Sequence, residues 1–155
     1  MPDVFISYSV KDEHLAQFVR THLFNEGLNV FIASINILPG YRWESQIFKA
    51  LRNSEWVFFL ASRNALNSPN VEKEIIEAVK INKKLVPIMW DVEPSELPDW
   101  ISAFQGLNLK GASYDGIATQ ITNLTHHVKE EKINGRFVGL VAIAVLFGLI
   151  SILSD

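Results

Sequence analysis

The residues best placed to do chemistry lie in Ser62-Arg-Asn-Ala-Leu-Asn-Ser-Pro-Asn-Val-Glu-Lys-Glu74, which runs from the end of an apolar run into an amphipathic helix. It sets one carboxylate, Glu74, in the first turns of that helix, beside the carboxyl edge of an expected parallel sheet. Open α/β sheets bind their ligands at that edge. A carboxylate there can stabilise positive charge developing on a bound ligand and can accept hydrogen bonds from its hydroxyls. The helix dipole favours keeping it ionised. The same features also describe an ordinary glutamate on a helix surface. Periodicity leaves two choices open, because Glu72 and Glu74 both fall within the arc of Val71, Ile75, Ala78 and Val79.

Other candidates gather at the ends of predicted elements. Tyr8, Ser9 and Lys11 close the first strand-like run, where a ligand would sit, and a lysine there can meet a phosphate as a point charge. Trp43 stands at a loop–helix junction, as a packing anchor or as a ring against substrate. Ser62 and Ser68 are turn formers or helix caps that also border the same edge. His14, His22, His126 and His127 lack a metal-ligand spacing, and no metal is expected. No GxGxxG or P-loop pattern appears, which argues against a classical dehydrogenase or a nucleoside triphosphatase. The absence of cysteine removes disulfides, thiolate zinc sites and a cysteine nucleophile. A net charge of −3 without a basic stripe argues against nucleic acid as a partner.

The elements that must position these residues alternate strand and helix, the pattern of a parallel sheet covered on both faces. Strand-like runs occupy Val4–Tyr8, Val30–Ile32, Trp56–Leu60, Leu85–Trp90 and Leu107–Leu109. Trp56–Leu60 is unbroken in its apolarity, as a central buried strand requires. Helical stripes fall at Leu15, Phe18, Val19 and Leu23, closed by Gly27, and at Ile47, Ala50 and Leu51. A further helix opens at Ser68-Pro69, where serine suits the cap and proline the first turn. A loop spans Pro94 to Pro98, and a last helix spans Tyr114–Glu131, ended by Asn134-Gly135. The expected fold class is α/β, a flavodoxin-like five-stranded parallel sheet with helices on both faces, over residues 1–133. Met1-Pro-Asp leads straight into the first strand, so no signal peptide is expected.

Residues 134–155 read differently, as a short linker and a C-terminal transmembrane helix. Phe137–Leu153 is a run of 17 residues without a charge, twelve of them Phe, Val, Leu or Ile. Each of those favours insertion by roughly 0.3–0.6 kcal/mol at mid-membrane. As a helix the run is about 26 Å long, slightly short of a hydrocarbon core of about 30 Å. Lys129, Lys132 and Arg136 precede it and only Asp155 follows, an asymmetry that places the preceding domain in the cytoplasm. The expectation is a single-pass anchor in the inner or plasma membrane.

Five segments in order resemble the Toll/interleukin-1 receptor (TIR) domain of bacterial type. They are Asp3-Val-Phe-Ile-Ser-Tyr-Ser9 with Lys11-Asp12; Val30-Phe-Ile32 with Leu38-Pro-Gly40, Trp43, Ile47 and Ala50-Leu51; Ser54 to Ser62; Pro87, Asp91, Pro94 and Leu97-Pro98; and Gln105-Gly-Leu-Asn-Leu109. The resemblance covers residues 2–130. It implies NAD+ as substrate rather than cofactor, cleavage of the nicotinamide–ribose bond by hydrolysis or cyclisation, and Glu74 rather than Glu72 as the catalytic carboxylate. Tyr8, Ser9, Lys11, Trp43, Ser62 and Ser68 become the residues expected around the substrate. The resemblance also implies a homo-oligomer built through TIR–TIR contacts, with one subunit's BB loop completing another's site, and a role in defence against phage or in signalling. Ala33 and Asn36 stand where many BB loops are acidic. Asn70 stands where many catalytic members carry a tryptophan that could pack on substrate. Two other readings are a TIR–TIR interaction module without chemistry, and a sensor that triggers a membrane-disrupting helix.

Overall fold

The computed structural model describes residues 2–33 and 39–146, of which 136–146 are described by backbone course alone. Five strands, β1 (Val4–Ser7), β2 (Val30–Phe31), β3 (Trp56–Ala61), β4 (Lys84–Met89) and β5 (Leu107–Asn108), form one sheet in the order β2-β1-β3-β4-β5. Every neighbouring pair is parallel. This is the expected flavodoxin-like order, in which the chain reverses its direction of winding at β1 and leaves a crevice at the carboxyl edge there.

The strands are those the apolar runs indicate. All six residues of β3 are buried, and so are all four of β1. A strand enclosed on both faces cannot alternate polar and apolar positions, so near-continuous apolarity is its signature. Successive side chains point to opposite faces, and the core divides accordingly. On one face Val4, Ile6, Phe58 and Leu60 pack with Leu15, Val19 and Leu23 of α1 (Glu13–Asn25) and with Ile117, Ile121 and Val128 further along the chain. On the other face Phe5, Val57, Phe59 and Ala61 pack with Ile47, Ala50 and Leu51 of α2 (Trp43–Asn53). Phe5 stacks on Phe31 of β2 with ring centroids 5.3 Å apart.

A short helix, α3 (Arg63–Leu66), follows β3 and leads into α4 (Pro69–Lys80). The Ser68 side chain accepts the Val71 N–H, and Pro69 fills the first turn, where its missing donor leaves nothing unpaired. Val71, Ile75 and Ala78 form the buried stripe of α4. Burying Val71 and Ile75 contributes about 2 kcal/mol each. Gly27, with φ of +83°, ends α1 in the left-handed conformation that glycine adopts at little cost.

Two expectations need revision. The segment from Pro94 onward is not a plain loop. A 3₁₀ turn (Pro94–Glu96) carries a reciprocal capping box between Glu93 and Glu96, and α5 (Asp99–Ser102) follows. The last helix does not stop at Asn134-Gly135, because α6 runs from Tyr114 to Leu146 through both residues. Glycine and asparagine disfavour a helix interior by only about 1 kcal/mol or less each, and neither removes a backbone donor as proline would. A helix already propagating from a docked segment absorbs that penalty. Among the described residues no helix is long and apolar enough to cross a membrane. The run expected to do so, Phe137–Leu153, extends outside the described residues, as does Asn36.

Candidate functional site

At the carboxyl end of β1 the chain presents Ser7, Tyr8 and Ser9 in succession, and α4 crosses nearby with Glu74 in its second turn. Glu74 is part-buried. Ser7, with no exposed surface, donates its hydroxyl to Glu74 Oε2 at 2.5 Å. Burial pushes the Glu74 carboxyl up from the ordinary 4.5 to about 7, and the Ser7 bond opposes that rise. Desolvation disfavours the charged form, whereas a donated hydrogen bond favours it, and here the first effect wins. Glu72, two residues earlier, is exposed. The ambiguity that helical periodicity left between the two carboxylates is resolved by direction: only Glu74 turns to the sheet.

Glu74 lies on the wall between two adjoining cavities. One, of about 140 Å³, is bordered by Tyr8, Ser9, Glu13, Trp43, Ser68 and Asn70 as well as Glu74. The other, of about 130 Å³, lies between α2 and α4, where Trp43, Glu44, Phe48, Asn70, Lys73 and Glu74 meet. Trp43 and Asn70 border both cavities, as Glu74 does. Trp43, the first residue of α2, is 48 % exposed. The Tyr8 hydroxyl donates to Glu13 Oε2 at 2.8 Å. Ser9 is buried and caps the turn after β1, accepting the Lys11 N–H at 3.3 Å.

Of the residues singled out in the sequence, Tyr8, Ser9, Trp43 and Ser68 are brought to the cavity with Glu74, Ser68 also as the cap of α4. Lys11 and Ser62 are placed elsewhere. Lys11 borders a separate cavity of about 350 Å³ on the α1–α6 side, with Asp12, His14, Phe18, Trp90 and Tyr114. Ser62 is fully buried; it caps α3 by accepting the Ala65 N–H at 2.9 Å and donates to Asp12 Oδ2 at 2.5 Å. Ser7, Glu44 and Lys73 are not among the residues the sequence singles out, and Asn70 is marked there only as standing where many catalytic members carry a tryptophan. For Ser7 a signal did exist, since a hydroxyl in an otherwise apolar run on a doubly buried strand must bond to something inward. For Glu44 and Lys73, exposed charges on helices, the sequence carries no such signal.

A sequence model of the TIR domain matches residues 4–122. The chain belongs to the TIR domain family. Over 97 residues it is 28% identical to a probable 2' cyclic ADP-D-ribose synthase of Brachypodium distachyon, a stretch covering 61% of this chain and 43% of that protein. This chain thus spans less than half the length of that curated relative. Among solved structures, the TIR domain of a Toll-related receptor from Hydra magnipapillata superposes with a TM-score of 0.69 at 19% identity, covering 83% of this chain and 99% of that one. That likeness establishes the fold. The TIR domains of the activated Roq1 resistosome match at 25% identity with a TM-score of 0.56, covering 61% of each chain.

Proposed function

We propose that this TIR domain cleaves the nicotinamide–ribose bond of NAD+, with Glu74 as the carboxylate that meets the ribose. The observation that carries the reading is the inward Glu74 carboxylate at the β1 crevice, on two cavities that Trp43 and Asn70 also border. The likeness to a plant protein named as a probable cyclic ADP-ribose synthase supports the choice of NAD+ as substrate.

The chemistry asks little of the protein as an acid. When the glycosidic C–N bond breaks, its electron pair returns to the pyridinium ring, and nicotinamide leaves neutral without accepting a proton. Positive charge moves onto the ribose, where one ionised carboxylate close by stabilises it. Water then adds to the ribosyl carbon and loses a proton to solvent, or a nitrogen of the adenine ring adds and closes a cyclic product. A carboxyl with a pKa of about 7 is partly protonated in the empty site near neutral pH. A cationic ligand draws it to the ionised form, because opposite charge at close range favours that state. Trp43 supplies a flat apolar face for a ring, and Tyr8, Ser9 and Ser68 complete the wall on the strand side. Lys11 and Ser62 belong to this proposal only as neighbours of the edge, one facing the α1–α6 side and the other holding the loop.

Self-assembly is part of the reading. Neither cavity, at about 130 and 140 Å³, reaches the roughly 300–1,000 Å³ of a ligand pocket. A second copy closing over the α2–α4 face would enlarge the enclosure, and the resemblance to resistosome TIR domains supports such contacts. The 137–153 run is proposed to anchor the chain in the inner or plasma membrane with the TIR domain in the cytoplasm, concentrating copies in two dimensions. Defence or signalling is the proposed setting.

The test is NAD+ consumption by the full-length protein at high density on vesicles, with products separated by chromatography, beside Glu74→Gln. Nicotinamide release that disappears in the variant supports the proposal and identifies the product. Intact NAD+ with both proteins, even when clustered, favours a TIR–TIR interaction module, the reading to which the absence of an aromatic residue at Asn70 already inclines.

A further inference from the structure

Glu74 has two carboxylate oxygens, and the fold treats them differently. Oε2 takes the hydroxyl of Ser7, whereas no residue among those described bonds to Oε1. Ser7 is not free to follow a moving partner. It is the last residue of β1, enclosed on all sides and laddered to Phe59 of β3. Glu74 is held from the other side by Val71 and Ile75, the buried residues of α4 that flank it. The bond therefore joins a fixed point in the sheet to a fixed helix across 67 positions of sequence.

We propose that Ser7 is the positioning residue of Glu74: it fixes the carboxylate by Oε2 so that Oε1 is the oxygen presented to the ligand in the cavity. What that ligand is rests on the function proposed above, but the coupling of Ser7 to Glu74 is a property of the free protein and can be measured without substrate. Carboxylates held at one oxygen lose rotation about their last torsion, and reacting groups held in place gain rate from orientation alone. Because the bond favours the ionised form, the same hydroxyl restrains the upward pull of burial on Glu74. The other charged or titratable groups around the carboxylate are Glu44 from α2, Lys73 from α4 itself, and Tyr8 with Glu13 from the β1–α1 side. None of them changes when Ser7 is replaced.

The experiment follows the Glu74 side-chain carbon by NMR in the full-length protein, solubilised in detergent and labelled at glutamate Cδ. The signal is assigned by its loss in Glu74→Gln. Wild type, Ser7→Ala and Ser7→Thr are titrated. Ser7→Ala should move the Glu74 midpoint upward by about one to two pH units, and Ser7→Thr, which keeps the hydroxyl, should restore it. An unchanged midpoint in Ser7→Ala overturns the proposal. In NAD+ turnover, the acid limb of the rate should shift with the NMR midpoint, and kcat above that limb should stay below wild type in Ser7→Ala and recover in Ser7→Thr. Full kcat in Ser7→Ala at alkaline pH overturns the positioning role. If the midpoint moves but no protein turns over NAD+, the functional proposal fails while the Ser7–Glu74 coupling stands. If turnover needs Glu74 but the midpoint is indifferent to Ser7, the reverse holds.

Discussion

Ser62, at the end of β3, donates to Asp12, at the start of α1, across 50 positions of sequence. The same Asp12 carboxylate accepts from Asn64 at 3.1 Å, and Ser62 in turn caps α3. Two loops at the carboxyl edge are thereby tied together. Removing the hydroxyl leaves Asp12 without a buried donor and α3 without its cap. Ser62→Ala should lower the unfolding free energy by about 1–3 kcal/mol. A denaturant titration reads this directly, and a loss below about 0.5 kcal/mol would show that the tie is not structural.

The raised Glu74 carboxyl makes a sign-specific prediction for stability. Its folded pKa of about 7 lies above the ordinary 4.5, so between those values the folded state binds more protons than the unfolded one. Stability from this group is therefore greatest below about 4.5 and falls as pH rises toward 7, by on the order of 3 kcal/mol in all. Glu74→Gln removes the ionisation. The variant should gain stability over wild type as pH rises from about 5 to about 8. Urea denaturation of both proteins at the two pH values tests this, and parallel behaviour would mean that the carboxyl is not held out of water.

Under the proposed chemistry the ionised carboxylate is the working form. The kcat/KM for NAD+ should climb through an acid limb near pH 7, the free-protein value, and level off above it. A rate that falls through the same range would assign Glu74 to proton donation instead.

Trp43 is half-exposed at the mouth of both cavities. Trp43→Ala should reduce kcat/KM for NAD+ by about tenfold through lost stacking while changing stability little. Asn70→Trp should raise it by adding a second ring to the lining of the same cavities. Steady-state kinetics beside thermal melts separates the two effects, and an equal loss of both would make Trp43 a packing anchor.

Gly106 precedes β5, and a Cβ added there would stand 2.2 Å from the Pro87 carbonyl oxygen of β4. That atom is backbone within a paired strand, so it cannot turn aside. Gly106→Ala should destabilise the protein by about 1–3 kcal/mol or more and loosen the β5 edge. Faster amide exchange at Leu107 and Leu109 than at β3 would locate the damage.

The fold was legible because its signals are physical and redundant. Five apolar runs of strand length alternate with helical stripes, and Ser68-Pro69 marks a helix start by capping chemistry alone. The site was legible in part. Helical periodicity could not choose between Glu72 and Glu74, since the wheel does not say which side of a stripe meets the sheet; the family resemblance chose Glu74, whose carboxylate is also the one turned to the sheet. Lys11 and Ser62 lie close to Ser9 and Ala61 in sequence, but Lys11 sits in the helical turn after β1 and borders the cavity on the α1–α6 side, while Ser62 is held inward by Asp12 and Ala65. Glu44 and Lys73 approach Glu74 only because α2 and α4 pack side by side, a relation that no local pattern encodes. At Asn134-Gly135 local propensity pointed to a break that continuity of the helix overrode.

That continuity changes what the far end of the chain can communicate. Thirty-three residues of uninterrupted helix extend about 50 Å. The first part of α6, through Ile117, Ile121 and Val128, is locked to the sheet that carries Glu74. A swivel at residues 134–135 would let the domain turn independently of whatever grips the helix beyond. A stiff rod does not. Any partner or surface that fixes the rotation of α6 near Leu146 also fixes the azimuth of the Glu74 opening, so neighbouring copies held there are indexed to one another like keys on a shaft.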